Sequence, residues 1–287
     1  MATNPTDPKK LEIAERRLFS RDEPDRIARY LDYWQTHKNE SERGTTFVSG
    51  LVQLDNLVQG FKTGEMIVIT GPTGNGKTLL ADSLGARFMR YEKANVAWFS
   101  YEVPTLQMID KYVKAEDADK LGLYVPMELK AGRFDWLKAK CLEARIKFGC
   151  NVAIIDHLHF IVDMNTDHNM SLNIGAVMRQ IKREIAVAMD MVVFVLAHQG
   201  QRKDSAEPSI DNIRDSSFIA QEADMVFVVY RTADPVPPEL QNNAKIPGYQ
   251  QSFDQGFCAV KIEKARRSGV YKKRLSYQKI GYWLEEV

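Results

Sequence analysis

The stretch "MIVITGPTGNGKTLLADSLGARFM", residues 66–89, limits the fold more than any other part of the chain. A β-branched apolar run ends in a glycine-rich loop, and Lys-Thr opens a helical pattern. Residues 71–78 fit the phosphate-loop spacing G-x-x-x-x-G-K-[ST] in the strand–loop–helix context that the motif requires. Gly71, Gly74 and Gly76, interleaved with Pro72, Thr73 and Asn75, let backbone N–H groups come close to phosphate oxygens. The following helix adds the partial positive charge of its N-terminus. Lys77 can reach the β- and γ-phosphates, and the Thr78 hydroxyl can bind Mg²⁺. A glycine-rich turn by itself would not explain Lys-Thr at the helix start.

Further apolar runs extend the pattern: "VAWFS" (96–100), "VAIID" (152–156), "MVVFVLA" (191–197) and "MVFVVY" (225–230). Helical stripes lie between them, one through Phe134, Leu137, Cys141, Ala144 and Phe148. Another runs through Ile174, Val177, Met178, Ile181, Ile185 and Ala188. Near-continuous apolar strands alternating with helices predict an α/β fold with a buried, mostly parallel sheet. "FCAVKIEKA" and "VYKKRLSYQK" flank "RRSG" and predict a closing C-terminal β-hairpin, and residues 232–256 read as a surface loop. Residues 1–45 form a separate helical linker or tethering segment, with helical spacing at Leu11, Ala14 and Leu18 and at Ile27, Tyr30, Leu31 and Trp34. Those stripes can pack on their own domain or on a neighbouring subunit. The catalytic domain is expected over 46–287.

With 39 basic and 38 acidic residues the net charge is +1, so any nucleic-acid contact must come from local positive charge. Cys141, Cys150 and Cys258 do not pair at metal spacing and suit a reducing compartment. No run reaches membrane-spanning length and "MATNPTDPKK" lacks an apolar signal core, which points to a soluble cytoplasmic protein.

In an open parallel sheet, ligands bind at the carboxyl ends of the strands. Polar residues are therefore expected there, and they occur: Ser100 and Glu102, then Asp156, then His198 and Gln199. Asp156, after four apolar residues, has the pattern of an acid that holds Mg²⁺ through water; alternatively it caps the next turn. Glu102 is the candidate base orienting the attacking water, and Gln199 a candidate γ-phosphate sensor; each also fits a solvated loop. His157 and His159 form an H-x-H pair without a third ligand nearby in sequence, which favours a packing or positioning role over metal binding.

Six segments in order carry a resemblance: the phosphate loop with its approach from "TTFVSGLVQLDNLVQGF", then "FSYEVP", "AIIDHLHFI", "AHQGQR", "IRDSSFIAQEADMVFVVYR" and "KIEKARRSGVY". Over residues 45–287 the chain resembles the RecA-like motor domain of DnaB-type hexameric replicative helicases, phage and mitochondrial relatives included. The resemblance implies a RecA-like P-loop NTPase fold, ATP and Mg²⁺ as cofactors, and single-stranded DNA as partner. It also implies a homo-oligomer, in this family a hexamer, and leaves room for a separate primase or loader. It matches Glu102 to the catalytic glutamate, Asp156 to the Mg²⁺-binding acid and Gln199 to the sensor. Lys264 and Arg266 match the pair that reaches the next subunit's nucleotide, where a trans arginine neutralises charge developing on the γ-phosphate. Arg214, Asp215 and Ser217 match a loop facing the DNA channel, with Arg202 and Lys203 as further channel candidates.

Three departures stand out. Only about 45 residues precede the core, where the family carries a primase-type or primase-binding domain. "DMNTDHNM" lacks the Lys/Arg of a second DNA loop, and His198 stands where relatives often have a small or hydroxyl residue. Three other readings share the same residues: a recombination or annealing ATPase forming a filament, an ATP-switched ring or loader without catalysis, and a small-molecule P-loop kinase.

Overall fold

The computed structural model describes residues 29–31, 44–162, 170–198, 208, 219, 221–232 and 257–286. The chain divides into two compact units, Met1–Gly44 and Thr45–Val287. In the first, residues 29–31 and 44 are described, with Tyr30 and Leu31 helical; the other N-terminal stripe positions lie outside the described residues.

The second unit begins with β1 (Thr46–Phe47), α1 (Val52–Val58), β2 (Phe61–Lys62), β3 (Met66–Gly71) and α2 (Lys77–Tyr91). Then come β4 (Val96–Ser100), α3 (Thr105–Val113), β5 (Leu123–Tyr124), α4 (Phe134–Phe148) and β6 (Val152–Asp156). Helix α5 runs over Met170–Gln180 and continues as a π-helical segment over Ile181–Val187; β7 (Val192–His198), β8 (Met225–Arg231), β9 (Phe257–Ala265), β10 (Lys273–Ile280) and β11 (Trp283–Glu286) complete the unit.

β1 and β2 form a small separate ribbon that the sequence did not announce; the other strands form one nine-stranded sheet in the order β11-β10-β9-β8-β3-β7-β6-β4-β5. From β8 to β5 every pairing is parallel, while β9, β10 and β11 add antiparallel pairs at one side. The expected hairpin is thus present as β9–β10 and gains a third strand.

Strands β3, β4, β6, β7 and β8 are apolar almost throughout because both their faces are covered. Alternate side chains point to opposite faces. Ile67 and Ile69 of β3, with Val192, Phe194 and Leu196 of β7, pack against Leu80, Leu84 and Phe88 of α2. Met66 and Val68, with Val193 and Val195, pack against Leu137 and Cys141 of α4 and Ile174, Met178, Ile181 and Ile185 of α5. Ala188, expected on the α5 stripe, is exposed; Ala186 and Met189 are buried beside Ile185. The π-helical turn explains the change of phase, since Ala188 N–H donates to the carbonyl five residues back, at Arg183. All three cysteines are buried thiols, and burial pushes those of Cys150 and Cys258 up to about 12. No helix among the described residues is long and apolar enough to cross a membrane.

Candidate nucleotide site

The register brings the strand ends together. Gly71 at the end of β3 pairs with His198 at the end of β7, and Ser100 at the end of β4 pairs with Asp156 at the end of β6. The phosphate loop therefore opens at the same sheet edge as the residues singled out on the later strands.

The loop is shaped by contacts that demand particular residues. Gly71 has φ +146°, and a Cβ there would lie 2.0 Å from the carbonyl oxygen of Val229 on β8, so no side chain fits. Asn75 is buried; its Oδ1 accepts from the backbone N–H of Arg231 at 2.9 Å and its Nδ2 donates to the Thr73 carbonyl at 3.1 Å. Gly76 caps α2 at φ +100° without a side-chain acceptor, which leaves first-turn N–H groups facing the loop. Lys77 is buried and donates to the carbonyls of Gly71 and Pro72, both at 3.1 Å. Burial pulls its pKa down, against the upward pull of Glu102 and Asp156.

Thr78 Oγ1 donates to Asp156 Oδ2 at 2.9 Å. Asp156 is buried, and its second oxygen, Oδ1, has no hydrogen-bond partner among the described residues. Burial raises its pKa to about 6, with Glu102 adding repulsion and the Thr78 hydroxyl opposing. A hydroxyl, a carboxylate and an unpartnered buried oxygen form a hard, oxygen-only donor set, which fits Mg²⁺.

Glu102 stands on the turn after β4. The turn is pinned from below, because Tyr101 and Glu102 N–H both donate to the Asp156 carbonyl, at 2.6 and 3.2 Å, and Ser100 Oγ donates to the Val103 carbonyl at 2.6 Å. The Glu102 side chain is exposed, yet its Oε2 is 3.3 Å from His157 Nδ1 and 3.8 Å from His198 Nε2. Burial pushes the His157 pKa down to about 3, helped by His198, His159 and Lys77, and burial also lowers that of His198. Both contacts are therefore between a carboxylate and a neutral imidazole, not ion pairs.

A buried clamp supports the two halves of this edge. Asp82, on α2, accepts from Tyr112 Oη at 3.0 Å and pairs with the Lys111 ammonium, both on α3. Burial outweighs Lys111 and raises the Asp82 pKa to about 6. The clamp joins the helix that begins at Lys77 to the helix that follows Glu102.

Lys264 and Arg266 lie elsewhere. Met225 at the start of β8 pairs with Ala265, so both basic residues sit at the edge where the parallel strands begin. Lys264 Nζ donates to the Ala223 carbonyl at 2.6 Å, Arg266 Nη1 to Asp224 Oδ1 at 3.2 Å, and Arg266 Nη2 to the Gln221 carbonyl at 3.0 Å. Asp224 also accepts from Met66 N–H at 2.8 Å and from Lys182 Nζ at 2.5 Å. β3 separates this corner from Gly71 by five residue steps, roughly 16 Å at ~3.3 Å per step. Gln199, Arg202, Lys203, Arg214, Asp215 and Ser217 lie outside the described residues, as does "DMNTDHN" after Val162.

Sequence reasoning passed over Asp224 and the Asp82 clamp, and it gave His157 and His198 no ligand-like partner. An Asp immediately before the apolar run "MVFVVY" was a readable signal for a buried strand-start carboxylate. Nothing in the sequence announced that β6 and β7 would bring His157 and His198 together.

Comparison with known proteins agrees with this architecture. Residues 46–123 and 114–282 match the family described as DnaB-like helicase C terminal domain. The chain is 24% identical over 250 residues to the replicative DNA helicase DnaB of Treponema pallidum, covering 77% of this chain and 57% of that protein. It is 23% identical over 257 residues to the replicative DNA helicase DnaB of Geobacillus stearothermophilus, covering 78% and 56%. The chain thus spans little more than half the length of these relatives. Among solved structures, an isolated ATPase domain superposes with TM-score 0.69 at 18% identity, over 91% of this chain and 100% of that one. A DnaB-like replicative helicase, solved for its interactions with primase, superposes with TM-score 0.67 at 18% identity, over 98% and 72%. A match that runs without a gap from β1 through β10, on a sheet whose carboxyl edge carries the phosphate loop beside Asp156 and Glu102, makes this chain a member of the DnaB-like helicase C-terminal domain family.

Proposed function

We propose that the chain is an ATP-driven DNA helicase or translocase motor that acts as a ring, of six subunits by family resemblance, on single-stranded DNA during replication. One observation carries the reading: the two halves of the catalytic set lie at opposite edges of one sheet. Lys77, Thr78, Asp156 and Glu102 share the carboxyl edge, whereas Lys264 and Arg266 lie roughly 16 Å away across β3. The basic pair cannot serve its own subunit's nucleotide, and a second copy would present it to the first.

In this reading the loop amides and Lys77 cradle the triphosphate. Thr78 and Asp156 would hold Mg²⁺, which supplies charge neutralisation on the phosphate oxygens. Glu102, held by the Asp156 carbonyl, takes the proton of the attacking water. His198 Nε2, 3.8 Å from that carboxylate, would stand beside the attacking water. The neighbour's Arg266 stabilises the developing charge, and to do so it gives up its bonds to Asp224 and Gln221. Gln199 as sensor, and Arg202, Lys203, Arg214, Asp215 and Ser217 as DNA contacts, complete the proposal, with a separate primase or loader as accessory.

The test is unwinding of a forked duplex with ATP, run beside mass measurement of the assembled particle. Arg266→Ala mixed with wild type should lower turnover more than dilution does, because each altered subunit disables a neighbour's site. Strictly proportional loss, or full ATPase from a lone protomer, refutes the shared site. DNA-stimulated ATPase without strand displacement favours a filament-forming ATPase instead.

A further inference from the structure

Beside the oxygen-lined Thr78–Asp156 pair stands a group of different chemistry. Glu102, His157 and His198 each offer one ligand atom, and these atoms all lie within 4.8 Å of one another. They come from three adjacent strands: the turn after β4, the residue after β6 and the last residue of β7. The convergence is therefore a product of the sheet, not of one flexible loop.

The two spacings from the carboxylate suit a small tetrahedral ion. With metal–ligand bonds of about 2.0–2.2 Å, two ligand atoms on one tetrahedral ion lie ~3.3–3.5 Å apart. Glu102 Oε2 and His157 Nδ1 are 3.3 Å apart, and Glu102 Oε2 and His198 Nε2 are 3.8 Å apart. His157 Nδ1 is buried at that short distance from a carboxylate, and it makes no hydrogen bond among the described residues. The His157 and His198 rings meet edge to face with centroids 3.9 Å apart, which packs both rings close to the carboxylate. Lys77 brings like charge into the same pocket, and the Glu102 and Asp156 carboxylates offset it.

We propose that Glu102, His157 and His198 form a binding site for a divalent transition-metal ion of the zinc class, with Glu102 Oε2, His157 Nδ1 and His198 Nε2 as ligands and a fourth position open to water. Two imidazoles and one carboxylate select zinc or cobalt over magnesium, which prefers all-oxygen octahedra. The site is distinct from Thr78–Asp156. Metal bound there takes the carboxylate that the proposed water activation needs, so loading suppresses ATP hydrolysis. That consequence rests on the motor reading; the metal site itself does not.

The test uses the full chain, without nucleotide or DNA. Titration with Co²⁺ should give the visible absorption of a tetrahedral complex at one ion per chain, displaced by Zn²⁺. Glu102→Gln, on an exposed turn, and His198→Asn, at a partly exposed strand end, should fold normally and weaken uptake at least about tenfold, since even indirect ligand partners are worth that much. His157→Asn should do the same, with its melting curve recorded because the ring is buried. His159→Asn should bind as wild type does. Failure of the wild type to take up Co²⁺ or Zn²⁺, or wild-type affinity in Glu102→Gln and His198→Asn, overturns the site. One equivalent of Zn²⁺ under Mg²⁺-ATP should then slow wild-type turnover. Full turnover with the ion bound overturns the suppression and the role of Glu102 as base, a failure separate from that of the metal site.

Discussion

Lys111→Met is a perturbation whose size follows from the buried clamp. The substitution keeps an unbranched four-atom stem and removes the ammonium that faces Asp82. In the folded protein Asp82 titrates at about 6, against 3.8 when free. Its folded pKa is raised, so its contribution to stability falls as pH rises from 3.8 to about 6 and is flat above that range. Without Lys111 the folded pKa rises further, and the decline continues above pH 6. Each further pH unit then costs the variant about 1.4 kcal/mol relative to wild type, because Asp82 keeps its proton when folded and releases it when unfolded. The expected deficit is therefore small at pH 6 and grows by up to about 1.4 kcal/mol per pH unit, to about 1.4 at pH 7 and at most about 2.8 at pH 8, for as long as the folded variant keeps the Asp82 proton. Urea denaturation at these three values measures it directly, and heating should show a drop of roughly 3–6 °C at pH 7 for a unit of this size. Adding Asp82→Asn to Lys111→Met should flatten the pH dependence. A deficit that is the same at pH 6 and pH 8 would refute the argument that Lys111 is what keeps this buried carboxylate charged.

Other outcomes follow from the loop and the site. Gly71→Ala should cost at least ~3 kcal/mol or prevent soluble expression, because its Cβ would meet the Val229 carbonyl at 2.0 Å; thermal melting or yield checks it. Asn75→Ala should cost roughly 1–3 kcal/mol, since it strands the Arg231 N–H at the end of β8, and urea melts would register it. Glu102→Gln should lower ATP turnover about 10²–10⁴-fold while a fluorescent ATP analogue still binds, separating proton transfer from phosphate binding.

The elements that could be read from sequence were those with a local cause. Continuous apolar runs at β3, β4, β6, β7 and β8 require cover on both faces, and the glycine spacing of 71–78 has few uses other than phosphate. The strand-end residues could be expected at one edge because parallel strands end together. What stayed hidden depends on which strands become neighbours. The order places β7 between β3 and β6, which no local pattern encodes, and it brings His157 to His198. For the same reason Asp224 meets both Met66 and Arg266 only once β8 lies between β3 and β9. The short β1–β2 ribbon, two residues per strand, is below the length at which alternation can be recognised. The shift in phase within α5 escaped because a π-helical turn leaves composition unchanged.

The outermost strands of the large sheet, Leu123–Tyr124 and Trp283–Glu286, are two and four residues long. Each offers few unpaired peptide groups, so another copy has little backbone to zip onto. In the proposed ring, subunits would then grip one another mainly through side chains, a joint free to slip and reseat as nucleotide turns over. A sheet running unbroken from copy to copy would weld that joint shut.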